Sequence, residues 1–493
     1  MKRLLRRKNI DDMLDGSAAK TGHGLKKALS SFDVTMIGIG AIIGAGIFAM
    51  VGEGVLGGSS GYPAGPALVL SFLLTAIACG FAALCYAEFA AMAPVSGSAY
   101  TYAYATLGEF AAWIIGWDLI LEYAIGNIAV AISWAGYFNE FIKAVTGLDI
   151  PVWLRLDYRT FIQKGYEMSQ APHIFGIPVV FNLPAVAIVF VITALLVTGI
   201  KESSKFNNIL VAVKIGILLL FVGLGFYYFK PEHWTPFAPG GWKGIKTGAS
   251  LIFFAYIGFD AVSTVAEETK NPQKDMPRGI IGSLLICTVI YIFVTLALTG
   301  MIPFPQLKEK IAEPLVAALL YNNAPTWTVI FVALGAIVAT TAVLLVFQMG
   351  QPRIFYAMSR DGLLPKAFAR VHPKFKTPFF STIVTGIIVA VPAAFCHLDE
   401  MANLCNIGTL FAFVVVCAAV IVLRIKEPNR HRPFKVPFGF LFPLLGMAMC
   451  FFLMTGLDSV TWLRFMLWLA IGLVIYFFYG VKRSGLAQAK NTH

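Results

Sequence analysis

Two stretches decide the fold: Gly38-Ile39-Gly40-Ala41-Ile42-Ile43-Gly44-Ala45-Gly46-Ile47-Phe48 near the start, and Phe253-Phe254-Ala255-Tyr256-Ile257-Gly258-Phe259-Asp260 in mid-chain. Each lies in an apolar run long enough to cross a bilayer, which takes about 20 residues as a helix, and each places glycine where the membrane is deepest. A helix can unwind there only if its freed N–H and C=O groups face protein, water or a ligand. The plain alternative is close packing of straight helices through small-xxx-small contacts such as Gly40 to Gly44. Two such runs in matched positions, the second ending in an acid, favour a binding site built from broken helices.

The composition around them points the same way. Of 493 residues 58% are hydrophobic and 13% charged, against roughly 25% charged in a soluble domain, and the mean hydropathy is +0.76. A soluble enzyme is excluded. Twelve candidate spans can be drawn, at 33–57, 66–91, 101–137, 181–200, 206–229, 247–268, 279–302, 326–350, 379–397, 402–424, 436–456 and 462–480, which makes the chain an all-α polytopic membrane protein. The third run is overlong and opens on Ser96-Gly97-Ser98-Ala99-Tyr100, so its first turns are expected to lie along the cytoplasmic face. The first hydrophobic run is full span length and follows a polar, basic stretch, so it is expected to be kept as a helix and not cleaved as a signal peptide.

The two glycine-rich spans each open a five-helix half, 33–229 and 247–424. Five is odd, so the second half enters from the opposite side as an inverted repeat. Two additional spans follow at 436–480, and residues 1–32 and 481–493 form tails.

The net charge of +12, from 38 Lys+Arg and 26 Asp+Glu, would invite a nucleic-acid partner in a soluble chain. Here placement decides against nucleic acid. Eight of the basic residues fall in the first 32 positions; loops and tails on that side hold 27, those on the other side 10, and Lys214 lies inside a span. That asymmetry puts both termini in the cytoplasm. None of the seven cysteines makes a CxxC pair, so neither a disulfide scaffold nor a metal site is indicated, and no cofactor is expected.

Ionisable groups at bilayer depth cost roughly 2.5–3.5 kcal/mol on insertion scales. Asp118, Glu122, Lys214 and Asp260 therefore need an explanation. Asp118 and Glu122 share a helix face, and Glu122 is the one placed to line a cavity, whereas Asp118 could cap polar neighbours. Lys214 either sits in a fixed ion pair with Glu122 or Asp260, or gains and loses a proton as a coupling residue. Glu53, Glu88 and Glu109, near span ends, read as interfacial or packing charges. Glu267 and Glu268 read as loop ties. There is no HExxH, Walker loop or nucleophile elbow, which argues against an enzyme or an ATP-driven pump and leaves an ion gradient, or the substrate's own, as the energy source.

Leu29-Ser30-Ser31-Phe32-Asp33 followed by Gly38 to Phe48, then Tyr86-Ala87-Glu88-Phe89 with Pro94-Val95-Ser96-Gly97-Ser98-Ala99-Tyr100, resembles the amino acid-polyamine-organocation (APC) superfamily. Gly199-Ile200-Lys201-Glu202-Ser203 with Asn207-Asn208, and Gly258-Phe259-Asp260 with Glu267-Glu268-Thr269-Lys270-Asn271-Pro272-Gln273, resemble the bacterial branch of its cationic amino acid transporter family. The resemblance covers about residues 25–480 and implies the LeuT-type fold, ten helices in two inverted repeats plus two. It also implies a multi-pass protein of the bacterial plasma membrane, with substrate held between the breaks.

On that footing Ile42, Ile43, Gly44, Ala45, Gly46, Phe254 and Ile257 would hold the substrate's backbone, the N–H groups around Gly44 to Gly46 facing its carboxylate at the positive end of a half-helix. Glu122 and Asp260 could favour a cationic side chain without excluding a neutral one. The resemblance further implies proton coupling through Lys214, whose ammonium would brace carbonyls of the first break, with Glu122 as a second proton-coupling residue. The expected activity is proton-coupled uptake of L-amino acids, neutral such as alanine or cationic such as arginine. An amino acid/amine exchanger is the alternative, and a sensor that binds without transport a more distant one. Expected partners are the amino acid, protons and lipid; a small membrane subunit would hide in the apolar exterior. Two departures stand out: relatives of human type have fourteen spans, and Ala45 replaces a hydroxyl-bearing residue of some relatives.

Overall fold

The computed structural model describes Arg6 and residues 27–93, 98–199 and 204–484. Most of the basic N-terminal tail, residues 94–97 and 200–203 of the quoted motifs, and residues 485–493 of the C-terminal tail lie outside the described residues.

Among the described residues, eight helices are long and apolar enough to cross a membrane: Gly65–Met92, Glu109–Thr146, Lys205–Tyr227, Gly241–Glu268, Pro272–Met301, Thr326–Arg360, Leu398–Lys426 and Ser459–Arg483. The pair Ser31–Ile42 and Gly46–Ser60, bent by 44°, makes a ninth. Three shorter apolar helices, Leu183–Thr198, Phe379–Phe395 and Leu441–Met454, take the remaining positions. In chain order these occupy the twelve expected segments and are called the first to twelfth spans below. Apolar backbone in lipid has no partner but itself, which is why each run folds as a helix.

Large apolar side chains such as Phe190, Ile209, Leu219, Phe293 and Phe331 are exposed on the outer faces, as a lipid-facing surface requires. The third span packs on the eighth and tenth, and the seventh on the second and first. The overlong third run resolves into two helices, Ser98–Thr106 and Glu109–Thr146. Between them Gly108 has φ 110°, a backbone region that side chains disfavour, so the glycine sets where the first helix ends and the membrane helix begins.

Several motif residues act as ties. Ser30 caps the first span: its Oγ accepts from Asp33 N at 3.3 Å while Asp33 Oδ2 accepts from Ser30 N at 2.9 Å, a capping box. Asn208 donates to the other oxygen of Asp33 at 2.9 Å, joining the fifth span to the start of the first. Glu268 accepts through its backbone oxygen from Ala28 and Leu29, so this segment does tie loops.

Glu88 is buried against Arg424, whose Nε donates to Oε1 at 3.0 Å, and it also accepts from Val436 N at 2.8 Å. Glu109 accepts from Ser484 Oγ at 2.5 Å and Tyr476 OH at 3.3 Å, fastening the third span to the twelfth. Removing one partner of a buried pair strands the other charge, typically at 3–5 kcal/mol. Arg424→Ala is therefore expected to lower the thermal unfolding midpoint of the detergent-solubilised protein sharply. A midpoint within a degree or two of the parent's would show that Glu88 finds other compensation.

Candidate functional site

The first span stops being an α-helix at Ile42. Ile43 is extended, with ψ 101°, and the chain resumes as a π-helix over Gly46–Met50 and an α-helix over Val51–Leu56. The sixth span runs as an α-helix over Gly241–Ile252, tightens to a 3-10 turn at Phe253–Tyr256, breaks at Ile257 (ψ 133°) and Gly258 (φ 123°), and continues as a 3-10 helix over Ala261–Glu268.

Glycine lets the two breaks touch. A Cβ on Gly46 would lie 2.2 Å from Ala255 Cα, and one on Gly258 would lie 2.7 Å from Ala41 O. Gly44 faces the eighth span, where its Cβ would meet Val343 Cγ2 at 2.6 Å.

The carbonyls freed by the first break are claimed from neighbouring spans. Lys214 Nζ, buried in the fifth span, donates to Gly40 O at 2.8 Å and Ile43 O at 3.2 Å. Tyr291 OH of the seventh span donates to Ile42 O at 3.0 Å. Tyr137 OH of the third span donates to Phe48 O. On the other side of the break, the N–H groups from Gly44 onward open a new helical segment, where intrahelical acceptors are lacking.

A small cavity, room for about one water, lies at this junction and is lined by Ala41, Ile42, Gly44, Ala45, Gly46, Val130, Phe254, Ile257, Val343 and Phe347. Six of the residues singled out from sequence thus meet around one space: Ile42, Gly44, Ala45, Gly46, Phe254 and Ile257. Ile43 stands behind it, its carbonyl occupied by Lys214. Glu122 and Asp260 are both buried but are not among the lining residues. Asp260 Oδ1 instead accepts from Gly258 N at 3.2 Å and steadies the sixth-span break, while Glu122 lies near enough for the two charges to interact.

Asp118, one turn before Glu122, has neither carboxyl oxygen hydrogen-bonded among the described residues, and Gly408 of the tenth span leaves it room, since a Cβ there would sit 2.8 Å from Oδ1. It caps no polar neighbour. Val130, Val343, Phe347, Tyr137 and Tyr291 were not identified from the sequence. Only the two tyrosines carried a signal, a hydroxyl that needs a partner once buried. Among the described residues no group of three or more His, Cys, Asp or Glu side chains is placed to hold a metal ion.

Comparison with known proteins adds three kinds of relative. A family model described as amino acid permease matches residues 29–477. The branched-chain amino acid permease BcaP of Bacillus subtilis (strain 168) is 48% identical over 487 residues, 98% of this chain and 99% of its own. The methylthioribose transporter of the same organism is 46% identical over 484 residues, again 98% and 99%. Cationic amino acid transporter 2, vacuolar, of Arabidopsis thaliana is 37% identical over 435 residues, 87% of this chain and 64% of its own.

Proposed function

The chain belongs to the amino acid permease family, a multi-pass membrane protein and not an enzyme, and from that premise we propose that it carries neutral, aliphatic L-amino acids into the cell by alternating access, driven by protons. In this reading ten helices form two inverted five-helix halves, 33–229 and 247–424, and the cavity between the first and sixth spans is where substrate binds. The carboxylate meets the N–H groups of Gly44, Ala45 and Gly46 at the positive end of a half-helix, and the ammonium meets carbonyls at the sixth-span break.

One observation carries the substrate class. The wall that a side chain would face is apolar throughout, built by Ile42, Val130, Phe254, Ile257, Val343 and Phe347, and the buried acids stand outside it. A pocket that gives a cationic side chain no partner leaves its charge desolvated. The relative named for branched-chain amino acids supports this reading, and the one named for methylthioribose supplies the competing one. An uncharged thiosugar would make no use of a helix end suited to an anion.

Uptake by purified protein in liposomes, inside alkaline and with the membrane potential clamped, tests the proposal with labelled valine, alanine and arginine in parallel and methylthioribose as competitor. Valine is expected to accumulate uphill and to leak out when a protonophore is added, with arginine far behind. Uptake that appears only in preloaded liposomes would make the protein an exchanger. Transport blocked by methylthioribose but indifferent to every amino acid would overturn the substrate class.

The wall itself gives a quantitative expectation. Val343→Ala removes two methyl groups, about 1.6 kcal/mol of burial, so the KM for valine should rise roughly tenfold while that for alanine hardly moves. Equal shifts for both substrates would place Val343 away from the bound side chain.

A further inference from the structure

Two features stand apart from the helix breaks, one toward each end of the bundle. The first is an outer cavity of about 500 Å³ whose charged surroundings answer one another. Lys310 pairs with Glu140, Lys143 and Arg155 pair with Asp149, and Arg159 and Asp399 lie close to Glu53. The second is a turn on the opposite, basic face, and its charges are left open.

Between the eighth and ninth spans the chain carries Arg360, Lys366, Arg370, Lys374 and Lys376 against one acid, Asp361, which already accepts from Tyr100 OH at 2.8 Å. Arg370, Lys374 and Lys376 are exposed and make no ion pair among the described residues. Two apolar side chains are set between them, Val371 at 44% exposed and Phe375 at 36%.

The turn is firmly built. His372 N donates to Thr377 O at 2.8 Å and Lys376 N to His372 O at 2.9 Å, while His372 Nδ1 accepts from Lys374 N and Phe375 N, each at 3.2 Å. The His372 ring rests on Phe375 and Phe379, with centroids 4.8 and 5.4 Å away. Lys376 is held at φ 59°, a conformation that a long side chain keeps only where its surroundings impose it. Thr377 Oγ1 donates to Val197 O at 2.9 Å, in the last turn of the fourth span. That span ends at Thr198 and the ninth begins at Phe379, so the turn lies where both helices leave the hydrocarbon, at the depth of the lipid headgroups.

A topology signal needs basic residues near a span end. It needs neither a fixed turn nor apolar side chains placed between the charges. We propose that residues 370–377 hold the headgroup phosphate of an anionic phospholipid, with Arg370, Lys374 and Lys376 donating to its oxygens and Val371 and Phe375 against its acyl chains. Guanidinium and ammonium groups are the usual partners of phosphate oxygens, and each basic group at a membrane surface adds roughly fivefold to the affinity for anionic lipid. A zwitterionic lipid brings its own amine to the phosphate and gains less from three cations. A soluble phosphate gains nothing from Val371 and Phe375. Because the turn is tied to the fourth span and leads into the ninth, which pack on each other, a bound lipid braces that pair. The proposal is independent of which substrate the protein carries and of what drives it.

The test is the thermal unfolding midpoint of the purified full-length protein in detergent, titrated with phosphatidylglycerol, phosphatidylcholine or glycerol phosphate, since whatever binds the folded state raises it. Phosphatidylglycerol is expected to raise the midpoint and the other two are not. Combining Arg370→Gln, Lys374→Gln and Lys376→Gln should move the half-maximal phosphatidylglycerol concentration up by about 100-fold. Combining Lys426→Gln, Lys435→Gln and Lys482→Gln removes as many exposed charges from the same face and should leave it unchanged. Should the first triple variant fail to fold, Lys374→Glu alone reverses one exposed charge and should raise that concentration by roughly 25-fold. Equal loss of response in the two triple variants would mean diffuse attraction and overturn the site. A response to phosphatidylcholine matching that to phosphatidylglycerol would overturn it too, and an equal response to glycerol phosphate would make the turn an anion site with no lipid in it.

Discussion

Lys214→Ala is expected to abolish uphill accumulation while leaving exchange of labelled for unlabelled amino acid. At one proton per substrate, a gradient of one pH unit can sustain an accumulation of about tenfold, and the variant should fall to equality across the membrane. The reason lies in the bonds from Nζ to Gly40 O and Ile43 O. A charged ammonium at that depth is expensive, and the two carbonyls, orphaned by the helix break, offset the cost. The ammonium therefore stabilises the arrangement in which the break is closed on the fifth span. In the proposed mechanism, loss of its proton would remove the donors' charge and let the first span swing, shifting the population toward the other arrangement.

Alanine removes this control but not the hinge, so substrate still equilibrates. Lys214→Arg makes the opposite expectation, because a guanidinium does not release its proton in the working range and the brace would hold permanently. Both net uptake and exchange should then fail. Counterflow in liposomes separates the two variants. If Lys214→Ala still accumulates substrate against its gradient, the coupling proton travels elsewhere, and Glu122 with Asp260 becomes the next place to look.

The helix breaks were legible because glycine and ionisable residues are anomalous in mid-membrane, and anomalies stand out in an apolar background. Lys214 was legible as an anomaly for the same reason, but its own sequence left an ion pair with Glu122 or Asp260 open, and only the family resemblance pointed to the carbonyls of the first break. The half of the cavity wall that comes from the third and eighth spans was not legible. Val130, Val343 and Phe347 are apolar residues in apolar helices, and nothing in their sequence context distinguishes a residue facing substrate from one facing lipid or a neighbouring span.

Periodicity placed Asp118 and Glu122 on one face of the third span, but it could not say which helix that face meets. Their positions outside the lining and beside the tenth span follow from the packing alone. The lining of the outer cavity was the least legible of all. Glu53 of the first span, Asn139 of the third and Glu313 of the connection between the seventh and eighth line one cavity only because segments far apart in sequence meet at the same end of the bundle.

Gly46→Ala should cost transport up to about 100-fold, the effect of overpacking by some 1–3 kcal/mol at a contact that must form in each cycle. The added methyl would lie 2.2 Å from Ala255 Cα and 2.7 Å from Ala255 N. Those are backbone atoms, so no rotamer change can make way, and the two broken spans must separate. Gly44→Ala offers the informative contrast. Its methyl would meet Val343 Cγ2 at 2.6 Å, a side-chain atom that can be removed. Gly44→Ala alone should impair alanine uptake, whose KM Val343→Ala by itself hardly moves, and Gly44→Ala with Val343→Ala should recover most of it, since residues in contact couple while distant ones add. The equivalent pairing of Gly46→Ala with Ala255→Gly should recover little, because deleting the Ala255 methyl leaves its Cα and N in place. Recovery in that second pair would mean that the first and sixth spans are free to slide at their crossing, and that the close approach of the two breaks is incidental to holding substrate.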